Sequence, residues 1–255
     1  MSAFDLSGRS ALVIGGTSGI GRTLALGLAD AGADVVSTGR RAALVDEVAK
    51  EIESRGRRSL RVAADVSDVQ ALEQLRDRCL DAFGKIDILV CAAGITRRVP
   101  TLEMTDADWS AIIDTNLTGT LRSCQVFGRE MVKRRSGRVI TIASLTSFLG
   151  MFEVAAYAAS KSGVAGLTRS LAVEWAAHGV TVNAILPGVF KTELNRALLE
   201  SPRGQEFLMR TPMRRFGRLD ELVGAAVYLA SDAASFVTGH LLAVDGGFLA
   251  SGVNQ

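Results

Sequence analysis

A glycine cluster sets the first limit on the fold. Gly15-Gly16-Thr17-Ser18-Gly19-Ile20-Gly21 lies between the apolar run Ala11 to Ile14 and a segment from Gly19 to Ala31 with Leu24 and Leu28 one helical turn apart. The order is strand, tight loop, helix. Such a junction presents backbone N–H groups and the positive end of a helix dipole to an anion. The glycines at 15, 19 and 21 do not follow the G-x-G-x-x-G spacing, and a glycine-rich turn by itself says little. It is the position, after the first strand and at the start of a helix, that points to nucleotide phosphates.

The alternation then repeats. Val35-Val36 reads as a second strand, followed by Gly39-Arg40-Arg41 and a helix with Leu44, Val48 and Ile52 at helical spacing up to Arg55. Ser67 and Gln70 have capping-box spacing before a helix carrying Leu72, Leu75 and Leu80, and Ile86 to Cys91 is a buried strand entering Ala92-Ala93-Gly94. Thr105 and Asp108 mark another N-cap, with helix through Met131, then a strand from Arg138 to Ile142. A helix from about Ala155 to Ala177 precedes the strand Val180 to Leu186, ended by Pro187-Gly188. The last helix, near Leu222 to Ala230, leads to the strand Leu241 to Val244. Strands alternating with helices imply right-handed crossovers and an α/β fold, a Rossmann-type doubly wound parallel sheet with helices on both faces. A hydrophobic content of 48% suits strands buried on both sides, and 255 residues suit a single domain, 1–255. Residues 190–217, polar and mixed, break the rhythm; they read as a substrate loop or lid, or as an irregular helical connection.

Charge excludes several roles. With 29 basic and 27 acidic residues the net charge is +2, too small a field to gather nucleic acid or an anionic membrane. Lys133-Arg134-Arg135 reads as a basic helix terminus. Cys79, Cys91 and Cys124 form an odd set without CxxC spacing, which suits reduced thiols and a cytoplasmic protein. The stretch Met1 to Arg9 lacks a signal peptide's pattern, and no apolar run is long enough to span a bilayer. His178 and His240 are the only histidines and lie far apart, so no metal site is expected, although a structural cation on the C-terminal carboxylate stays open.

The chemistry lies in Tyr157 and Lys161, four positions apart and so on one helix face, with Ser144 just past the strand ending at Ile142. A phenol working as proton donor or acceptor near neutrality needs its anion stabilised by about 4 kcal/mol, since tyrosine titrates near pH 10. Lys161 supplies positive charge, the oxidised nicotinamide of a bound cofactor would add to it, and the Ser144 hydroxyl can hydrogen-bond the reacting oxygen. Asn116 is placed to hold a water linking Lys161 to solvent. At the end of the second strand, a carboxylate would bond the adenosine ribose and repel a 2′-phosphate. Arg40 stands there instead, with a forked donor suited to phosphate, so NADP(H) is favoured over NAD(H).

Taken together, these residues resemble the short-chain dehydrogenase/reductase family over essentially the whole chain. The resemblance implies Asn116, Ser144, Tyr157 and Lys161 as the catalytic tetrad, with Lys161 also on the nicotinamide ribose. It implies a cofactor site formed by Gly15, Thr17, Ser18, Gly19, Ile20, Gly21, Arg40, Asp65, Val66, Ala93, Gly94, Tyr157, Lys161, Pro187, Gly188, Val189 and Thr192. It also implies a homotetramer built partly from the two long helices. Ile14 and Cys91-Ala92-Ala93-Gly94 depart from the family, which often has threonine and Asn-Asn-Ala-Gly there.

Within the family, Gly94 to Pro100 and Val244 to Ala250 look like gluconate 5-dehydrogenase and related sugar-acid dehydrogenases. A secondary alcohol and ketone on a sugar acid or polyol are the expected substrates, with Ser144 on the reacting oxygen. Arg97 or Arg98 would pair with a substrate carboxylate, or else be solvated or at a subunit contact. The same tetrad serves a 3-oxoacyl-carrier-protein reductase, whose acidic partner would meet Arg210, Arg214 and Arg215. A nucleotide-binding sensor without turnover would be expected to have lost Tyr157 or Lys161, and both are present.

Overall fold

The computed structural model describes residues 3–192 and 199–252. Six parallel strands form one sheet: β1 (Ser10–Ile14), β2 (Asp34–Thr38), β3 (Ile88–Cys91), β4 (Gly137–Ile142), β5 (Val180–Pro187) and β6 (Leu241–Val244). Their order is β2-β1-β3-β4-β5-β6, with every neighbouring pair parallel. The chain leaves β1 toward one edge to build β2 and returns past β1 to build β3. The order reverses there, which opens a crevice at the carboxyl ends of β1 and β3.

Side-chain alternation explains why the strands read as unbroken apolar runs. Ala11, Val13, Ile88 and Val90 pack into one core, while Leu12, Ile14, Leu89 and Cys91 pack into the other. The first core is covered by α1 (Gly19–Asp30), α2 (Ala42–Ser54) and α8 (Val223–Ala230), through Leu24, Leu28, Val48, Ile52, Ala226 and Leu229. The second is covered by α3 (Val69–Phe83), α5 (Gly119–Arg134) and α6 (Ala155–Trp175), through Leu72, Leu75, Phe127, Met131 and Leu171. Each fully buried leucine or phenylalanine contributes about 1.5–3 kcal/mol, and it is this burial on two faces that keeps the strands in register.

Some boundaries fall differently from the sequence reading. The cap of α3 is Asp68, whose Oδ1 accepts from the backbone N–H groups of Gln70 and Ala71, at 2.9 and 3.1 Å. Ser67 instead donates to Asp65. The segment read as one helix through Met131 is α4 (Asp106–Ile113) and α5, joined by a π-turn, Asp114–Thr118. Thr105 caps α4 as its spacing indicates. The basic run ends α5, where Arg134 donates to the carbonyls of Ile86 and Ser136 at 2.9 and 3.1 Å. Within 190–217, the described residues include the helix α7 (Pro202–Arg210), and residues 193–198 lie outside the described residues.

The two departures from the family face each other. Ile14 and Cys91 are register partners in β1 and β3, both inside the second core. Two apolar residues replace a polar pair together, so neither leaves an orphaned hydrogen-bonding group, and the Ala92 N–H still donates to the Ile14 carbonyl at 2.8 Å. All three cysteines are buried and free. Burial pushes the Cys79 thiol up to about 12, while a hydrogen bond with Cys124, together with burial, raises Cys91.

Candidate active site

β4 ends at Ile142 and its chain runs on to Ser144, which caps a short 3-10 turn by accepting from the Thr146 N–H at 3.2 Å. Ser147 and Ser162 then bind that turn to α6: the Ser147 hydroxyl donates to the Lys161 carbonyl at 2.8 Å and Ser162 to the Thr146 carbonyl at 3.2 Å. The helix face carrying Tyr157 and Lys161 is thereby fixed against Ser144. The Ser144 hydroxyl hydrogen-bonds the Tyr157 phenol, and Lys161 Nζ lies 5.7 Å from the centre of its ring. The same ammonium donates to the Ile142 carbonyl at 2.8 Å.

Burial opposes charge on both groups. It raises the tyrosine above its ordinary value, against the pull of the Ser144 hydrogen bond, and it takes Lys161 down from 10.5 to about 8. Both groups are thus desolvated: Lys161 is brought toward neutrality, while Tyr157 is held as the neutral phenol, the form that donates a proton.

Asn116 sits in the π-turn, fully buried. Its Oδ1 accepts from the Ile95 N–H at 2.8 Å, and its Nδ2 donates to the Ile95 carbonyl at 2.9 Å and to Ser160 Oγ at 3.0 Å. Ser160 in turn donates to the Tyr157 carbonyl at 2.7 Å. The side-chain amide is therefore spent on fixing the 94–96 segment and α6, so any water held by Asn116 must use its backbone carbonyl. Gly94 borders the same space: a methyl group there would stand 3.5 Å from Asn116 Oδ1 and 3.6 Å from Lys161 Nζ.

The glycine loop suits a pyrophosphate. Gly15 has φ +78°, and a Cβ there would meet the Ala93 nitrogen at 2.4 Å; at Gly21 it would meet the Gly15 carbonyl oxygen at 2.1 Å. Both contacts demand glycine. Gly19, at φ +50°, faces open space, Ser18 does not cap α1, and the first turn has no acidic side chain, so nothing competes with an anion there. Thr17 packs on Gly39, and Ile20 is half-buried. Beyond β2, Arg40 is exposed and 4.0 Å from Asp65, which is held by the Ser67 N–H at 2.9 Å. Val66 is buried against Gly119. Arg41, which the sequence did not single out for this site, points its guanidinium at Ser18 Oγ, 3.5 Å away. After β5, Gly188 donates to the Val244 carbonyl at 2.9 Å, and the Val189 carbonyl accepts from Gly217 at 2.9 Å; Thr192 is half-buried. A cavity of about 360 Å³ lies beside them, lined by Val189, Thr211, Met213 and Asp245 among others. Most of the residues expected around a dinucleotide thus lie at or just past the carboxyl ends of strands, with Asp65 and Val66 on the segment that leads into α3.

The expected substrate arginines are engaged with carboxylates: Arg97 pairs with Asp108, and Arg98 with Glu153 at 2.6 Å. Of the basic patch, Arg210 pairs with Glu206 and Arg215 with Glu221. Among the described residues no group of three His, Cys, Asp or Glu could hold a metal, and no helix is long and apolar enough to cross a membrane. The C-terminal carboxylate lies outside the described residues.

The chain matches known proteins over nearly its whole length. A family model described as enoyl-(acyl carrier protein) reductase, a short-chain dehydrogenase model, matches residues 15–249. The 2-dehydro-3-deoxy-D-gluconate 5-dehydrogenase of Dickeya dadantii is 40% identical, covering 98% of this chain and 99% of that protein. The gluconate 5-dehydrogenase of Gluconobacter oxydans is 40% identical, with 97% of each covered. Among solved structures, a gluconate 5-dehydrogenase from Burkholderia cenocepacia, in complex with NADP and tartrate, superposes with a TM-score of 0.94 at 40% identity, covering 98% of both chains.

Proposed function

The chain belongs to the short-chain dehydrogenase/reductase family, and on that premise we propose that it interconverts a secondary alcohol and a ketone on a sugar acid, as a gluconate 5-dehydrogenase does, preferring NADP(H). The observation that carries this is the convergence of Ser144, Tyr157 and a buried Lys161 at the carboxyl end of the sheet, next to a loop fit for a dinucleotide. Bound there, the nicotinamide would supply or accept hydride. The protein supplies the proton and the fit. Ser144 and Tyr157 hold the substrate oxygen between them, and Tyr157 Oη gives up its proton in reduction and takes one in oxidation. Lys161 lowers the cost of the phenolate, and Asn116 keeps α6 and the Ile95 segment in register with it. Gluconate and deoxygluconate dehydrogenases among the relatives support a sugar acid as substrate.

The preference for NADP(H) rests on Arg40 and Arg41 at the carboxyl end of β2, where a ribose-binding carboxylate would otherwise repel a 2′-phosphate. Residues 190–217 are assigned to substrate cover, with Arg97 and Arg98 at the rim. A cytoplasmic location fits the reduced thiols. A homotetramer fits the exposed Val173 on α6, 81% accessible, and can be checked by light scattering. An acyl-carrier-protein substrate is less favoured, because Arg210 and Arg215 are already paired.

Initial rates with gluconate and 5-ketogluconate, polyols and acyl thioesters, each with both cofactors, test the reading. Sugar acids should give the highest kcat/KM. A higher value for an acyl thioester would overturn it.

A further inference from the structure

α7 carries an arginine in an unusual state. Arg203 Nη2 donates to the Phe152 carbonyl at 3.0 Å, whereas Nη1 is buried and has no hydrogen-bond partner among the described residues. Among the described residues no carboxylate pairs with it. A guanidinium stays charged at any working pH, and a buried donor without an acceptor is costly, so such a group calls for an anion.

Its surroundings hold it ready. The guanidinium lies 5.7 Å from the centre of the Phe207 ring, and Phe207 packs at a tilt on Phe248 of the turn following β6. That turn is itself closed by Asp245, which accepts from the N–H groups of Gly247 and Leu249 at 2.9 and 2.8 Å. On the other side, Phe152 and Glu153 belong to the stretch between the Ser144 turn and α6, whose first turn carries Tyr157. Glu153 adopts φ +62°, a strained value for a non-glycine residue, and is fixed by Arg98 and by the Val99 N–H at 2.9 Å. The rim is thus braced by one arginine already neutralised and touched by another that is not.

We propose that Arg203 binds the carboxylate of the substrate, with Nη1 as the donor that the acid's oxygen satisfies. The proposal rests on the sugar-acid reading above and adds the residue that selects an acid. Arg97 and Arg98 would each have to leave a carboxylate to do this, whereas among the described residues Arg203 has none to leave.

Steady-state kinetics with gluconate test it in the wild-type enzyme and in R203Q, R203K, R97A and R98A. The loss of one charge-assisted contact should raise the KM for gluconate in R203Q about 10- to 100-fold, with kcat and the KM for NADP changing far less. R203K keeps the charge and should recover part of the loss. An unchanged gluconate KM in R203Q, an equal rise in the KM for NADP, or the effect appearing in R97A or R98A instead would overturn the assignment. A wild-type enzyme that turns over no sugar acid would instead overturn the sugar-acid reading, and would show it before any variant is made.

Discussion

Replacing Lys161 with methionine separates the cost of burying a charge from the use made of it. The two side chains are of similar length, and only one carries a proton. Burial takes the lysine from 10.5 to about 8, and at about 1.4 kcal/mol per tenfold change the charged form costs the fold about 3 kcal/mol. The bond from Nζ to the Ile142 carbonyl, at 2.8 Å, returns about 1.5–3 kcal/mol. Near pH 7 the two proteins should therefore differ little in stability. Their pH dependence should differ clearly. The folded value lies below the unfolded one, so between about 8 and 10.5 the unfolded chain binds more protons and stability rises with pH. The cost is full below that window and gone above it. Urea unfolding without nucleotide, at about pH 7 and about pH 10, should show the wild type gaining about 2–3 kcal/mol on Lys161→Met. Turnover of the variant should fall by about 10²–10⁴ at every pH. Parallel stability curves would mean that water reaches the ammonium, and the account of a desolvated acid/base pair would fail.

Arg40→Asp should reverse the cofactor preference, with kcat/KM for NADP(H) falling at least about tenfold; a wild type that works as well with NAD(H) would refute the role given to Arg40. In Gly21→Ala the added methyl would press on the Gly15 carbonyl oxygen from 2.1 Å, so the phosphate loop must shift, and titration followed by NADPH fluorescence should show binding lost; an unchanged Kd would argue against phosphates at this loop. Asn116→Ala strips partners from Ile95 and Ser160 and should cost about 2–4 kcal/mol of stability along with most of kcat. Thermal melting and initial rates check both, and loss of stability with kcat intact would confine Asn116 to a structural role.

Regular periodicity made the fold legible. The strands and long helices fall close to where apolar spacing puts them, because each must bury one or two faces. What stayed hidden depends on contacts remote in sequence. Ser67 has capping-box spacing, but Asp65 engages its hydroxyl and Asp68 takes the cap. The π-turn at Asn116 leaves no trace because residues on both sides of it are helical and the extra residue shifts the phase without breaking the pattern. The glycine loop, Ser144, Tyr157 and Lys161 could be read because their spacing is local to one junction or one helix turn. The engagement of Arg97 and Arg98 by Asp108 and Glu153 could not, nor could the meeting of Arg203 with Phe152, since tertiary structure alone creates both. The polar, mixed composition that made 190–217 look irregular also masked α7, whose first residue is Pro202.

The three interior thiols have a practical use. Cys79, Cys91 and Cys124 are closed off in the second core beneath α3, α5 and α6, and burial raises the Cys79 and Cys91 thiols, so the native protein should be inert to maleimides and react only as the sheet opens. Labelling kinetics then give a clock for unfolding at single sites, read by mass spectrometry without denaturant. The same silence makes one cysteine introduced at exposed Met209 on α7 a clean attachment point for a fluorophore. Substrate-dependent movement of that helix could then be followed against no background.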